Sequence, residues 1–504
     1  MSKPLCPSDI SQPSAAQVSA ALLKEIVMSP KSAKMSNVDT AWWHMESPTN
    51  LMMITTIMIY GGRPDYKRIA ANIAARLLKY DRFKQRVVDP SAPWSATRWE
   101  ADPHFDLEAH LHRIALPEPG DQQALEDLVS DLISTPLDYS KPLWQMHIIE
   151  NYGDDFVVVT RFHHCIADGI ALMRLLLSLT DQDPDAADPP APEPRHYRKK
   201  GLLSSVTSPV SRLVSTTSKV TETAVNLGVS GAKATMSAAR DPGQVVDAAK
   251  SAVDFAARLG LVTLRLPDPA TIYKGNLTSQ KRAAWSAPFP LGDVKAAAKA
   301  MNGTINDVMV TAVAGALRIY MEDQGIQTAG LNFRAYIPVN LRQYDEAIEL
   351  GNAFGLVFLS MPVGVVDRRE RFQIVQQRMS ELKESPEAAV AISLLYAAGM
   401  LPKNIENLAF RLYHAKATAV LTNVPGPQEQ LYFAGSPLKY MMGWVPQAGN
   451  LGLGISIVSY NGEIMVGINT DAGLVPHPQE IIGYFEEELA AIIEEAVAGL
   501  QKAL

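Results

Sequence analysis

Residues 163–169 read His-His-Cys-Ile-Ala-Asp-Gly. An imidazole with an ordinary pKa of about 6.5 is a competent general base at cellular pH, able to take a proton from a hydroxyl or an amine. Neighbouring residues at a strand end face opposite sides, so one of His163 and His164 can face a cavity while the other packs inward. Asp168 stands at a helix N-cap position. Gly169 tolerates backbone angles that a Cβ resists. Metal chemistry is disfavoured. Adjacent histidines rarely share one ion, and the chain has no His-Glu-x-x-His and no Cys-x-x-Cys. Cys165 reads as a small buried filler rather than a nucleophile.

The elements that must position this stretch follow from its flanks. Phe156 to Phe162 is a β-branched and aromatic run, a strand. Ile170 to Leu177 is apolar with helical character. The seven residues therefore occupy a strand-to-helix turn, where a rigid scaffold often carries chemistry. Further strands are expected at Leu51–Tyr60, Trp144–Glu150, Asn332–Val339, Gly355–Val363 and Lys416–Val424. Helices are expected at Tyr66–Lys79, Leu125–Ile133, Leu291–Met301, Asp307–Glu322 and Gln479–Leu500. Asn461-Gly462 between two apolar runs, Leu453–Tyr460 and Glu463–Asn469, is a strong hairpin signal. Strands and helices mix throughout, so the class is α/β or α+β with two similar-sized lobes.

The chain has 504 residues, 47% hydrophobic and 20% charged, ordinary for a globular protein with a large core. Its net charge of −7 gives no global basic field for nucleic acid. Two cysteines, Cys6 and Cys165, offer no disulfide framework and suggest a reducing compartment. The longest apolar stretch, Ala388 to Leu401, falls short of the roughly 20 residues of a spanning helix, and no basic-then-apolar signal opens the chain. Any membrane contact is therefore expected to be peripheral. Residues 1–35 read as a disordered tail, 36–185 as a first lobe, 186–270 as a Pro-rich linker and basic connector, and 271–504 as a second lobe. Between Arg195 and Arg240 the connector holds eight Lys or Arg and a single acid, Glu222. It reads equally as an amphipathic segment on an anionic lipid surface or as a solvated linker.

The His-His-x-x-x-Asp-Gly stretch resembles that of the CoA-dependent acyltransferase superfamily. Within it, other blocks resemble the bacterial wax ester synthase/acyl-CoA:diacylglycerol acyltransferases. These are Ser36-Asn37-Val38-Asp39 with Glu46, Pro142-Leu143-Trp144 followed by His147 and Glu150, and Asn306-Asp307. Ile337-Pro338-Val339-Asn340-Leu341-Arg342, Gly351-Asn352, and Thr422-Asn423-Val424-Pro425-Gly426-Pro427 complete the set. Each block has a plain structural reading too. Trp144 suits a core aromatic, Asn306 a helix N-cap, Pro425 to Pro427 a rigid turn, and Arg342 a surface ion pair.

The resemblance implies two chloramphenicol-acetyltransferase-like lobes with a tunnel between them. It implies acyl-CoA as co-substrate with no further cofactor, and a fatty alcohol or diacylglycerol as acceptor. His164 is the implied general base, with His163 in support. Asp168 is expected to organise the turn through an arginine, Arg334 or Arg342, and Gly169 to give the turn room. Asn306 is the candidate oxyanion donor. Pro142, Leu143, Trp144 and Asp307 are expected at the substrate, and Asn423 and Pro425 in structural roles. The Met-bearing runs Leu51–Ile54 and Met441-Met442 are candidate linings for a lipid tunnel. The implied location is cytoplasmic, peripheral on the inner membrane or on lipid inclusions. Two rivals stay open: an amide-forming condensation-type enzyme sharing the motif, and a non-catalytic lipid-surface protein on the same fold.

Overall fold

The computed structural model describes residues 32–89, 96–187, 265–342, 348–383, 387–398 and 403–503. The basic stretch Arg195–Arg240 lies outside the described residues, as does most of the N-terminal tail.

The first lobe opens with strand β1 (Ser32–Lys34) and helix α1 (Asn37–His44), followed by β2 (Met53–Gly61), α2 (Tyr66–Arg76), β3 (Gln85–Val88), β4 (Arg98–Ala101) and β5 (Leu111–Ala115). Helix α3 (Gln122–Ser134), β6 (Trp144–Tyr152), β7 (Asp155–His163) and α4 (Gly169–Leu177) complete it. The second lobe contributes β8 (Lys281–Trp285), β9 (Phe289–Pro290), α5 (Leu291–Ala300), α6 (Ile305–Asp323), β10 (Phe333–Asn340) and β11 (Phe354–Met361). Helices α7 (Arg368–Lys383), α8 (Glu387–Ala398) and α9 (Lys403–His414) follow. The chain closes with β12 (Ala419–Pro425), β13 (Tyr432–Phe433), β14 (Ser436–Trp444), β15 (Leu453–Tyr460), β16 (Glu463–Asp471) and α10 (Pro478–Ala503).

Two mixed sheets organise the molecule. One runs β13-β14-β2-β7-β6-β5; the other runs β11-β10-β12-β15-β16-β8, with β9 also on β16. The central strands are buried on both faces, as their unbroken apolar runs require. All eight residues of β15 are buried, as are eight of the nine in β7. The hairpin between β15 and β16 turns on Asn461 (φ 47°) and Gly462 (φ 80°), both left-handed, as the favoured two-residue turn demands.

The lobes are interlocked. β13 and β14 come late in the chain, yet β14 pairs with β2 from Leu438–Tyr60 to Trp444–Thr55. A single cut in sequence therefore does not separate the two sheets. Helix α3 caps the exposed edge of β8, where Ser134 Oγ accepts from Lys281 N (2.8 Å) and Ser130 Oγ from Ala283 N (3.0 Å). Edge amides that would otherwise stay open are thus satisfied across the lobe boundary. The methionines offered as tunnel linings, Met52, Met53, Met441 and Met442, belong to the core cluster and are all at most 5% exposed. Among the described residues, no helix is long and apolar enough to cross a membrane.

Candidate active site

β7 delivers His163 and His164 to the end of a central strand. His164 N donates to Met52 O (2.7 Å), continuing the β2–β7 ladder one residue past its formal end. Both rings are buried, His163 completely and His164 to 96%. They do different things. His163 Nδ1 accepts from Cys165 N (3.1 Å), which puts the proton on Nε2, and Nε2 lies 3.2 Å from Glu46 Oε2. That approach is off the N–H line, so the contact is electrostatic rather than a full hydrogen bond. Glu46 is held by Met52 N and the Tyr139 hydroxyl. Cys165 is fully buried, and burial raises its thiol pKa well above the ordinary range, so it is no thiolate nucleophile.

His164 lies against Trp42 of α1, with ring centroids 3.9 Å apart and planes at 11°, and Phe354 of β11 sits 5.6 Å away. Burial pushes its pKa down to about 4, against the opposing pull of the Asp168 charge. The ring is therefore neutral at cellular pH, the protonation state a base requires. Its Nδ1 has no hydrogen-bond partner among the described residues.

The turn after the histidines is gripped from the other lobe. Asp168 Oδ1 caps α4 through Ala171 N (2.9 Å), and Oδ2 accepts from Ala353 N (3.0 Å) and lies 3.0 Å from Arg342 Nη2. Asp168 N donates to Gly351 O (3.2 Å), and Gly351 N to Ile166 O (2.9 Å), a short parallel bridge between the lobes. Arg342 also donates to the carbonyls of Glu349 and Gly351. Gly351 has φ +102°, a conformation that resists a side chain. Beside it, Asn352 Nδ2 donates to His164 O (2.8 Å) and to Asp39 Oδ1 (2.8 Å). Burial raises the Asp39 pKa, opposed by the Asn352 hydrogen bond and then by the Arg82 charge. Blocks near residues 39, 46, 164, 168, 342 and 352 thus converge, though some 300 residues separate their ends.

Several sequence expectations are revised by this geometry. Arg334 does not reach Asp168; its Nε pairs with Asp268 Oδ1 (2.9 Å). Gly169 has no left-handed φ, and a Cβ built there would meet nothing within 4 Å, so the turn does not need it for room. Pro142, Leu143 and Trp144 are buried. Trp144 is a core residue whose Nε1 donates to Phe83 O (2.9 Å) and whose ring stacks on His110 (4.5 Å). Asp307, expected at the substrate, closes a capping box with Thr304, its carboxylate accepting from Thr304 N (2.8 Å). Thr304, not Asn306, is the cap of α6.

Asn306 Oδ1 instead accepts from Asn423 Nδ2, joining two distant blocks. This pair stands outside the hydrogen-bond network of the histidines among the described residues. Pro425 ends β12 and is exposed. The tight position in that stretch is Gly426, whose N donates to Ser459 O (2.7 Å) and whose added Cβ would sit 2.4 Å from that oxygen. Trp42 and Phe354 escaped the sequence reading. Trp42 lies three residues after Asp39 on one helix face, and Phe354 two after Asn352 at a strand start, so helical and strand spacing carried the signal.

A neutral buried imidazole at a strand end, on a turn held by a buried aspartate and a half-buried arginine, suits proton transfer. Comparison with known proteins narrows the class. Residues 35–309 match the wax ester synthase/diacylglycerol acyltransferase catalytic domain, and residues 350–493 match the C-terminal domain of the same group. The chain belongs to the wax ester synthase/diacylglycerol acyltransferase family.

A probable diacylglycerol O-acyltransferase of Mycobacterium tuberculosis is 28% identical over 441 residues, 86% of this chain and 90% of that protein. The wax ester synthase/diacylglycerol acyltransferase of Marinobacter aquaeolei VT8 has the same fold, with a TM-score of 0.64 at 22% identity over 92% of this chain and all of that one. The first condensation domain of the calcium-dependent antibiotic synthetase shares the fold more distantly, with a TM-score of 0.58 at 14% identity over 93% of this chain and 97% of that one.

Proposed function

We propose that this chain transfers a long-chain acyl group from acyl-CoA to the hydroxyl of a fatty alcohol or a diacylglycerol, giving a wax ester or a triacylglycerol. The observation that carries the reading is the His164 ring, neutral and buried between Trp42 and Phe354 at the meeting of the two lobes. Family membership supports the acyl-CoA donor and the lipid acceptor.

In the proposed reaction His164 removes the hydroxyl proton as the oxygen attacks the thioester carbonyl. The new C–O bond gives a tetrahedral oxyanion, which preorganised donors must meet. Asn306 is the proposed donor; its bond to Asn423 occupies Oδ1 and leaves Nδ2 for this task. The C–S bond then breaks, and the CoA thiolate takes the proton from the imidazolium. No covalent enzyme intermediate or further cofactor is required. Asp168, held by Arg342, keeps the turn in register and favours the transient imidazolium by its charge. His163 supports through Glu46.

A tunnel between the lobes would bring the two substrates together from opposite sides. Each buried acyl methylene contributes about 0.8 kcal/mol, so a long chain is a strong handle. Such substrates live at lipid surfaces, and the proposed location is the cytoplasmic face of a membrane or a lipid inclusion. The test is acceptor-dependent release of CoA thiol from palmitoyl-CoA, lost in His164→Ala. The amide-forming alternative rests on fold likeness alone and would appear as release driven by amines instead of alcohols.

A further inference from the structure

Among its described side chains, helix α9 leaves part of its apolar surface open to solvent. A surface helix ordinarily buries its apolar stripe and exposes its charges. Here the exposed side carries Leu408 (57% exposed), Ala409, Arg411 and Leu412 (61%), whereas Glu406 and His414 are buried. Single exposed leucines need no explanation, but these two lie one turn apart on a single face. A third strongly exposed residue, Leu266 (78%), is close by, since Asp268 N donates to Ala415 O (3.0 Å) just past the helix.

Among the described residues, the exposed charge on this face is positive. Arg411 is on it. Lys416, Arg265 and Arg334 lie nearby but are engaged in the fold: Lys416 is buried, Arg265 sits over the Phe358 ring and Arg334 is ion-paired. Asp268 pairs with Arg334 as the local counter-charge.

Beside this face, sharing Leu412 with it, is a cavity of about 230 Å³, lined chiefly by Leu356, Leu394, Leu395, Phe410, Leu412 and Tyr413. It has room for roughly eight water-sized groups, a segment of acyl chain. Leu356 is two residues along β11 from Phe354, on the same face of the strand, and Phe354 touches His164. The helix is also tied to the catalytic side: Glu406 accepts from His44 Nδ1 (2.6 Å) at the end of α1, the helix that carries Trp42.

We propose that the exposed side of α9 docks on an anionic lipid surface through Leu408, Leu412 and Arg411, and that the cavity behind it admits the hydrocarbon chain of a lipid substrate from that surface. The docking face stands on its own geometry; the substrate role of the cavity rests on the acyltransferase reading. An apolar pair beside an exposed arginine is the pattern of an interfacial helix, and anionic headgroups supply the complementary charge.

The test is flotation of the full-length protein with phosphatidylcholine vesicles containing increasing phosphatidylglycerol. Wild type should float with the anionic vesicles, more weakly at high salt. Leu408→Ser/Leu412→Ser should lower the bound fraction by about tenfold or more, and Arg411→Glu should reduce both binding and its salt dependence. Leu408 and Arg411 lie outside the cavity lining whereas Leu412 belongs to it, so Leu408→Ser alone should lower binding in the same direction, and matching thermal melts establish folding. The ratio of turnover on vesicle-held diolein to turnover on dissolved butanol should fall with binding. Wild type that ignores anionic vesicles, or a double leucine variant that floats as well as wild type, overturns the proposal. In the second case another surface, such as the lysine- and arginine-rich stretch, would be the anchor. Leucine-dependent flotation without turnover on any acceptor would support the docking face and count against the acyltransferase reading.

Discussion

The imidazole of His164 lies flat on the indole of Trp42, with ring centroids 3.9 Å apart. An aromatic face favours a cation above it by up to about 2 kcal/mol when water is excluded. In the proposed reaction the stack therefore assists the imidazolium of the transition state more than the neutral ring that precedes it. Trp42→Leu keeps the site apolar and removes the stack. It should lower kcat by roughly ten- to thirtyfold, with little change in KM for acyl-CoA. Steady-state kinetics check this; an unchanged kcat would mean that the indole only fills space.

The acid limb of activity should be displaced. Burial holds the His164 pKa down to about 4, so kcat/KM should stay level from pH 8 to about 5. It should not fall near 6.5, where an ordinary histidine titrates. A half-point at 6.5 in rapid assays would contradict the buried environment described for this ring.

Stability should fall over the same range. His147, His164 and His414 are buried and held neutral, with pKa values pushed down to about 3, 4 and 4. The unfolded chain takes up their protons below about 6.5 and the folded chain does not. Stability contributed by the neutral rings is complete above that pH and is lost as pH drops towards 4. Each ring contributes a slope of up to about 1.4 kcal/mol per pH unit. Urea melts at pH 7.5 and 5.0 check this, and His414→Phe should flatten the slope.

Asp168→Asn should damage both catalysis and folding. The carboxylate satisfies Ala171 N, Ala353 N and Arg342 together. An amide can accept at one end only, and its NH2 would then face another donor. The expected loss is about 3 kcal/mol of stability, as for a broken buried pair, with kcat reduced at least tenfold. Arg342→Ala should be milder, because the two backbone donors remain. A fully active Asp168→Asn variant would remove the turn's ion pair from the account.

Gly351→Ala tests the lobe contact. An added Cβ meets nothing closer than Asp39 Oδ2 at 3.6 Å, so the cost comes from φ +102°. That strain is about 1–3 kcal/mol. Relief would move Gly351 O away from Asp168 N and Arg342, so turnover should fall although no substrate contact is altered. Thermal melts with kcat measurements separate the two effects.

Much of the frame was legible in sequence because local pattern and local structure agree. β7 and α4 bracket the histidines within a residue or two of their expected limits, and Asn461-Gly462 makes the expected turn. Helices α1, α7, α8 and α9 went unread: α1 is short, α7 is charged with little amphipathic periodicity, α8 is apolar almost throughout, and α9 was passed over although its apolar residues recur at helical spacing. What else escaped depends on distant partners. Insertion of β14 beside β2 is a pairing across nearly 400 residues that no local pattern encodes. The Pro142-Leu143-Trp144 block shows the same limit. Its residues pack in the core beneath the site, and sequence alone does not say which side of a strand meets the cavity.

The central claim is that His164 is the base for acyl transfer from CoA to a lipid hydroxyl. Free CoA thiol released from palmitoyl-CoA, with hexadecanol or dipalmitoylglycerol supplied in parallel, tests it directly in wild type and His164→Ala. The account predicts acceptor-dependent release by wild type and at least a hundredfold loss in the folded mutant, in line with removal of a general base. Undiminished release by folded His164→Ala, or no release by wild type with either acceptor, would contradict it.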